Sequence, residues 1–81
     1  MASGREIMTD WVVEALRQLG GRGTILDIAR RVWKKHEKDI RAADDLLYSW
    51  QYELRWAGAL IRSEGVLLPA AAAPRGVWVL A

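Results

Sequence analysis

Between Tyr48 and Arg55 the chain reads YSWQYELR, which puts Tyr48, Ser49, Gln51, Tyr52 and Arg55 within about two turns of any helix that forms there. This set stacks, donates and accepts hydrogen bonds, and carries one permanent planar cation. Gln matches the N6/N7 edge of adenine and Arg the O6/N7 edge of guanine, each bidentate pair discriminating by ~1–3 kcal/mol. Tyr48, Trp50 and Tyr52 add apolar faces that suit the methyl of thymine or an extra methyl on adenine or cytosine, since burying one CH2-sized group gains about 0.8 kcal/mol. The chemistry on offer is recognition of a base and not bond cleavage. His36 is the only histidine, there is no Cys, and no pair of carboxylates falls in a catalytic motif. Nothing fills the roles of base, nucleophile or metal ligand, so the chain reads as a non-enzyme without cofactor or metal, and His36 as a boundary or core residue.

Positioning such a set requires a helix with a buried back. Leu47, Trp50, Leu54, Ala57 and Ile61 recur in steps of three and four, one stripe on a helix from Asp45 to Ser63, with Gly65 as its left-handed cap. Trp50 lies on both the stripe and the candidate reading set, whereas Trp56 and Trp78 are assigned to packing. Upstream, Thr9 or Asp10 starts a first helix that runs to about Leu19, with Trp11, Val12, Ala15, Leu16 and Leu19 inward. Gly20, Gly21 and Gly23 stop it; without a Gly-Lys-Ser/Thr ending or a preceding strand they are a cap and turn, not a phosphate loop. Thr24 and Asp27 form a capping box for a second helix to about Glu37, with Ile25, Ile28, Ala29, Val32 and His36 inward and Trp33 at the margin. Lys38 to Asp45 reads either as a short helix or as an extension of the third. Leu67–Pro69 and Gly76–Leu80 make an antiparallel hairpin, its loop bounded by Pro69 and Pro74, carrying Arg75 and a flexible tip of Ala70 to Ala73.

Eighty-one residues make one domain with a small core, for which five Trp are natural filling. Residues 1–8 carry no folding signal and read as a frayed or appended N terminus, leaving 9–81 as the domain. No apolar run approaches the ~18 residues of a membrane span and no secretory signal is visible, so the expected location is the cytoplasm. The net charge of +2 is mild, but it is unevenly spread. Arg30, Arg31, Lys34, Lys35, Lys38 and Arg41 crowd one stretch with only Glu37 and Asp39 among them, as in a solvated or a phosphate-contacting helix face. Thr24 at a helix N terminus, Lys34, Lys35 and Arg75 are the expected phosphate contacts. Glu53 would repel phosphate, accept from a cytosine amine or face solvent.

Helix, glycine turn, helix, longer helix and hairpin is the order of a winged helix-turn-helix: mainly α, three helices plus a two- or three-stranded wing, with the third helix entering the DNA major groove. Ala15-Leu16 with Leu19-Gly20-Gly21, then RWAGALIRSEGVLL from Arg55, then Arg75-Gly76-Val77-Trp78-Val79-Leu80, resembles the N-terminal domain of Mrr-type restriction endonucleases over most of Asp10 to Leu80. The departures are Glu53 where that family often has a basic residue, a longer and less polar wing from Pro69 to Pro74, and Arg41 to Leu46 in place of a glycine-rich approach to helix 3. They fall where DNA is expected and bear on sequence preference more than on fold. The resemblance implies a double-stranded DNA-binding module that senses a modified, methylated base in a prokaryotic defence system, with a covalently linked nuclease domain outside this chain. A chain ending directly after its last strand likewise reads as cut from something larger. So few phosphate contacts imply modest, salt-steep affinity and use as a dimer or in tandem. The alternative is a winged helix that binds protein without direct DNA readout, favoured by Asp44, Asp45, Glu53 and the alanine-rich wing.

Overall fold

The computed structural model describes residues 4–81; of the expected N-terminal tail, residues 1–3 lie outside that range. The elements are α1 (Gly4–Gln18), β1 (Arg22–Thr24), α2 (Ile25–Ala42), α3 (Leu46–Ser63), a 3-10 turn (Ala70–Ala72) and β2 (Val77–Val79). Three helices thus surround one apolar core, and a small antiparallel sheet closes one side.

Local signals account for most helix ends. Thr24 caps α2 by a full capping box: its Oγ1 accepts from Asp27 N at 3.1 Å, and Thr24 N donates to Asp27 Oδ2 at 3.4 Å. Both α1 and α3 stop in the paired bonds of a Schellman motif. Gly21 N donates to Leu16 O at 2.7 Å and Gly20 N to Arg17 O at 3.2 Å; Val66 N donates to Ile61 O at 2.9 Å and Gly65 N to Arg62 O at 3.1 Å. Gly20 (φ 86°) and Gly65 (φ 81°) occupy the left-handed positions that this motif demands.

Three boundaries depart from the sequence reading. First, α1 begins at Gly4, so residues 4–8 belong to the fold; Met8 is completely buried, and that burial extends the helix upstream of Thr9. Thr9 is an interior residue whose hydroxyl donates to Glu6 O at 2.6 Å. Second, 38–42 continues α2 and is neither a separate helix nor part of α3, because Ile40 is fully buried only if the helix persists past His36. The backbone kinks at His36 (φ −118°, ψ 16°), where the ring stacks on Trp11 at 4.0 Å and Nε2 lies 2.9 Å from Glu14 Oε1. Third, β2 pairs chiefly with β1, in the register Arg22↔Val79, Gly23↔Trp78 and Thr24↔Val77. The expected hairpin partner contributes the Leu67↔Leu80 bridge, with bonds of 2.9 Å from Leu68 N to Val79 O and from Ala81 N to Val66 O on either side of it. The last strand therefore runs between the glycine turn and the Leu67 arm. The alanine tip is a single 3-10 turn.

Core and α3 meet most tightly at one point. Leu54, Ala57, Gly58 and Ile61 form the buried side of α3, and the Trp78 indole fills the space beside Gly58, where an added Cβ would stand 2.2 Å from the ring. α1 packs most extensively against this helix. Gly58→Ala should therefore lower stability by about 2 kcal/mol, overpacking outweighing the gain in helix propensity, with a correspondingly lower urea midpoint. Thr24→Ala should cost about 1 kcal/mol in the same assay.

Candidate nucleic-acid interface

Burial of Leu54, Ala57, Gly58 and Ile61 turns the other side of α3 to solvent. Tyr48 is 89% exposed and Tyr52 59%, with Gln51 and Arg55 exposed beside them. These four residues from the reading set come together on one surface. Ser49 and Trp50 do not join them fully. Ser49 is half-buried and donates its hydroxyl to Asp45 O at 3.1 Å. Trp50 is half-buried and stacks on Trp33 across the α2–α3 junction, with ring centroids 5.4 Å apart and planes at 22°, which makes it a packing residue first.

Trp56 departs from its expected packing role. It is 44% exposed, and its ring meets the edge of Tyr52 at 6.3 Å. With Tyr48, Tyr52 and Leu60 it forms an outward ridge at steps of four, spacing that was readable in the sequence once the core stripe had been placed. Trp78, by contrast, is buried as expected. Beside the start of α3, Leu26, Ala29, Arg30, Trp33, Trp50 and Gln51 line an open groove of about 420 Å3. Its walls are aromatic and aliphatic, and Arg30 and Gln51 supply its polar groups. Arg30, counted in the basic cluster but not singled out, thus shares this groove with Gln51 of the reading face.

The expected phosphate contacts spread over several surfaces. Successive residues of a helix point ~100° apart, so Lys34 and Lys35 diverge. Lys34 is exposed in a shallow cleft with Arg30, Arg31 and Asp27, whereas Lys35 turns toward α1, its Nζ 4.0 Å from Glu14 Oε2. Lys35 is thereby removed from the α3 side. Thr24 is exposed at the N terminus of α2, but Asp27 already supplies a carboxylate to that turn, which weakens its pull on a further anion. Arg41 bonds Glu37 Oε2 at 2.8 Å and lies over the Trp33 ring at 5.3 Å. Arg75 stands exposed on the connection before β2. Asp44 and Asp45 are exposed just ahead of α3, and Glu53 is half-buried further along it, so carboxylates lie on both sides of Tyr48 in the chain.

His36 is held by aromatic stacking and by carboxylates on two sides, Glu14 and, at 3.6 Å from Nδ1, Asp39. No group of three or more His, Asp or Glu residues placed to hold a metal occurs among the described residues. Among the same residues no helix is long and apolar enough to cross a membrane. Comparison with protein-family profiles, curated proteins and solved structures returned no match for this chain.

The Trp33–Trp50 stack sets how α3 leaves the α2–α3 junction. In a double-mutant cycle with Trp33→Leu and Trp50→Leu, the coupling measured by urea denaturation should be about 0.5–1.5 kcal/mol, and zero coupling would mean that the two rings touch without supporting each other.

Proposed function

We propose that this domain is a winged-helix module that binds double-stranded DNA in the cytoplasm, with the first half of α3 in the major groove. The observation that carries the reading is the grouping of Tyr48, Gln51, Tyr52 and Arg55 in solvent on consecutive turns of a helix anchored from behind. A major groove about 12 Å wide admits such a helix, Gln and Arg reach base edges, and the two tyrosines offer apolar surface to a methyl group. Arg30, Arg31 and Lys34 supply a cationic flank on the neighbouring helix. The arrangement of β2 between β1 and the Leu67 arm, after three helices, suits the winged-helix order. The likeness of Leu19-Gly20-Gly21, Trp56-Ala57 and Arg75-Gly76-Val77-Trp78 to Mrr-type endonucleases supports the finer part: a methylated base as target, and a joined nuclease domain in a prokaryotic restriction system as partner.

A second reading has its own observation. The ridge of Tyr48, Tyr52, Trp56 and Leu60 is apolar along most of α3, as expected of a helix that docks on another protein. Gel-shift titration at two salt concentrations with unmodified, adenine-methylated and cytosine-methylated duplexes separates the two. The DNA reading predicts binding at low salt that weakens steeply as salt rises, and a preference for one methylated duplex. Replacing Tyr52 and Arg55 with Ala should remove about 1–3 kcal/mol of that preference. Lys34→Ala should weaken all three duplexes alike and reduce the salt slope by about one. Absence of binding at low salt rejects the DNA reading, and equal binding of the three duplexes rejects the methylated-base part.

A further inference from the structure

Toward its C-terminal end, some 12 residues and about 18 Å along the axis from Trp50, α3 borders a different cleft. It measures about 340 Å3, and its lining includes Arg62 from the helix, Arg75 and Gly76 from the connection that precedes β2, and Trp78 from the strand. Two arginines from separate elements thus line one space. Neither forms an ion pair with a carboxylate of the described residues, whereas Arg41 and Lys35 both do. Arg62 is half-buried, and its Nε is shielded from solvent without an acceptor. A donor in that state on a charged group is unfavourable. A turn of the Arg62 side chain into the cleft would bring it to a ligand that is anionic and rich in acceptor oxygens, which Arg75 also attracts. A carboxylate offers two oxygens, fewer than two guanidinium forks can engage. A phosphomonoester offers three and up to two charges, whereas a backbone phosphodiester offers two and one charge, no more than a carboxylate.

We propose that Arg62 and Arg75 form a clamp for one phosphate group, with Trp78 and the chain around Gly76 as its walls. The clamp stands on these two arginines and not on base readout by α3. The oxygen and charge count favours a free phosphomonoester, for which the cleft leaves room beyond the phosphate itself, and a duplex backbone is the other source that the test separates.

The test is a set of proton–nitrogen correlation spectra of the full chain, read at the Arg62 Nε–Hε and Gly76 amide signals. Inorganic phosphate is titrated against chloride at matched ionic strength, and a short unmodified duplex is added separately. Phosphate is expected to move both signals together along a saturating curve that chloride does not reproduce. Arg75 lies on an exposed loop, so folding is not at stake in Arg75→Gln, which should weaken the response about tenfold, as should Arg62→Gln when read at the Gly76 amide alone. Arg17→Gln, at an exposed position on α1 outside the lining of the cleft, should leave it unchanged. A duplex that moves the same two signals identifies the DNA backbone as the source; a response to phosphate without one to duplex identifies a free phosphomonoester. Equal responses to phosphate and chloride, an undiminished response in Arg75→Gln, or no response to either probe overturns the clamp. Because the phosphate arm contains no DNA, the clamp and the DNA reading fail independently.

Discussion

The seat of Trp78 on Gly58 is the constraint through which the rest of the molecule is tied together. The indole takes the place of a side chain on α3, so helix and terminal strand approach more closely than any residue but glycine allows at that position. Trp78 also pairs with Gly23 in the sheet, and β1 leads directly through Thr24 into α2. One ring therefore joins the third helix, the last strand and the start of the second helix. It also settles the roll of α3. Trp56 precedes Gly58 by two residues, about 200° of helical rotation, and is carried to the opposite side. The outward position of Tyr52 and Trp56 is thus a consequence of packing and not an independent feature.

The large aromatic side chains divide accordingly. Trp11 stacks on His36, Trp33 on Trp50, and Trp78 on Gly58, each pair joining two elements of a small core. Tyr48 and Tyr52 stand mostly in water on one helix, with Trp56 partly exposed beside them. A domain this short gains by burying aromatic surface, so leaving three such rings exposed in a row opposes stability and points to a surface kept for contact. The charges around it grade from cationic on α2, through Arg30, Arg31 and Lys34, to acidic at Asp44 and Asp45. That gradient suits a helix whose flank meets phosphates while its tip meets base edges, and it limits how strongly a polyanion is drawn to the tip itself.

Local chemistry was legible in the sequence, and non-local chemistry was not. The capping box of Thr24 and Asp27, the cap at Gly65 and the stripe of Leu54, Ala57 and Ile61 are determined by neighbours within a few residues, and all appear in the structure. The early start of α1 depends on Met8 reaching the core, and the persistence of α2 depends on Ile40 doing so, neither of which a cap signals. Arg22–Thr24 reads as part of a glycine turn because its strand partner lies more than fifty residues away. Within the candidate site, Tyr48, Gln51, Tyr52 and Arg55 follow from helical periodicity alone. Trp50 and Lys35 were harder to place, since their final direction is set by Trp33 and Glu14 on other turns and other helices.

If the outward side of α3 at residues 48–55 meets DNA as proposed, adding a duplex at moderate salt should shift backbone amides most at residues 48–55 and at Arg30 of the adjoining helix. Those shifts should differ between unmodified and methylated duplexes. Shifts confined to the far half of the ridge, at Trp56, Leu60 and Val66, or no shifts at any point of the titration, would contradict the proposal.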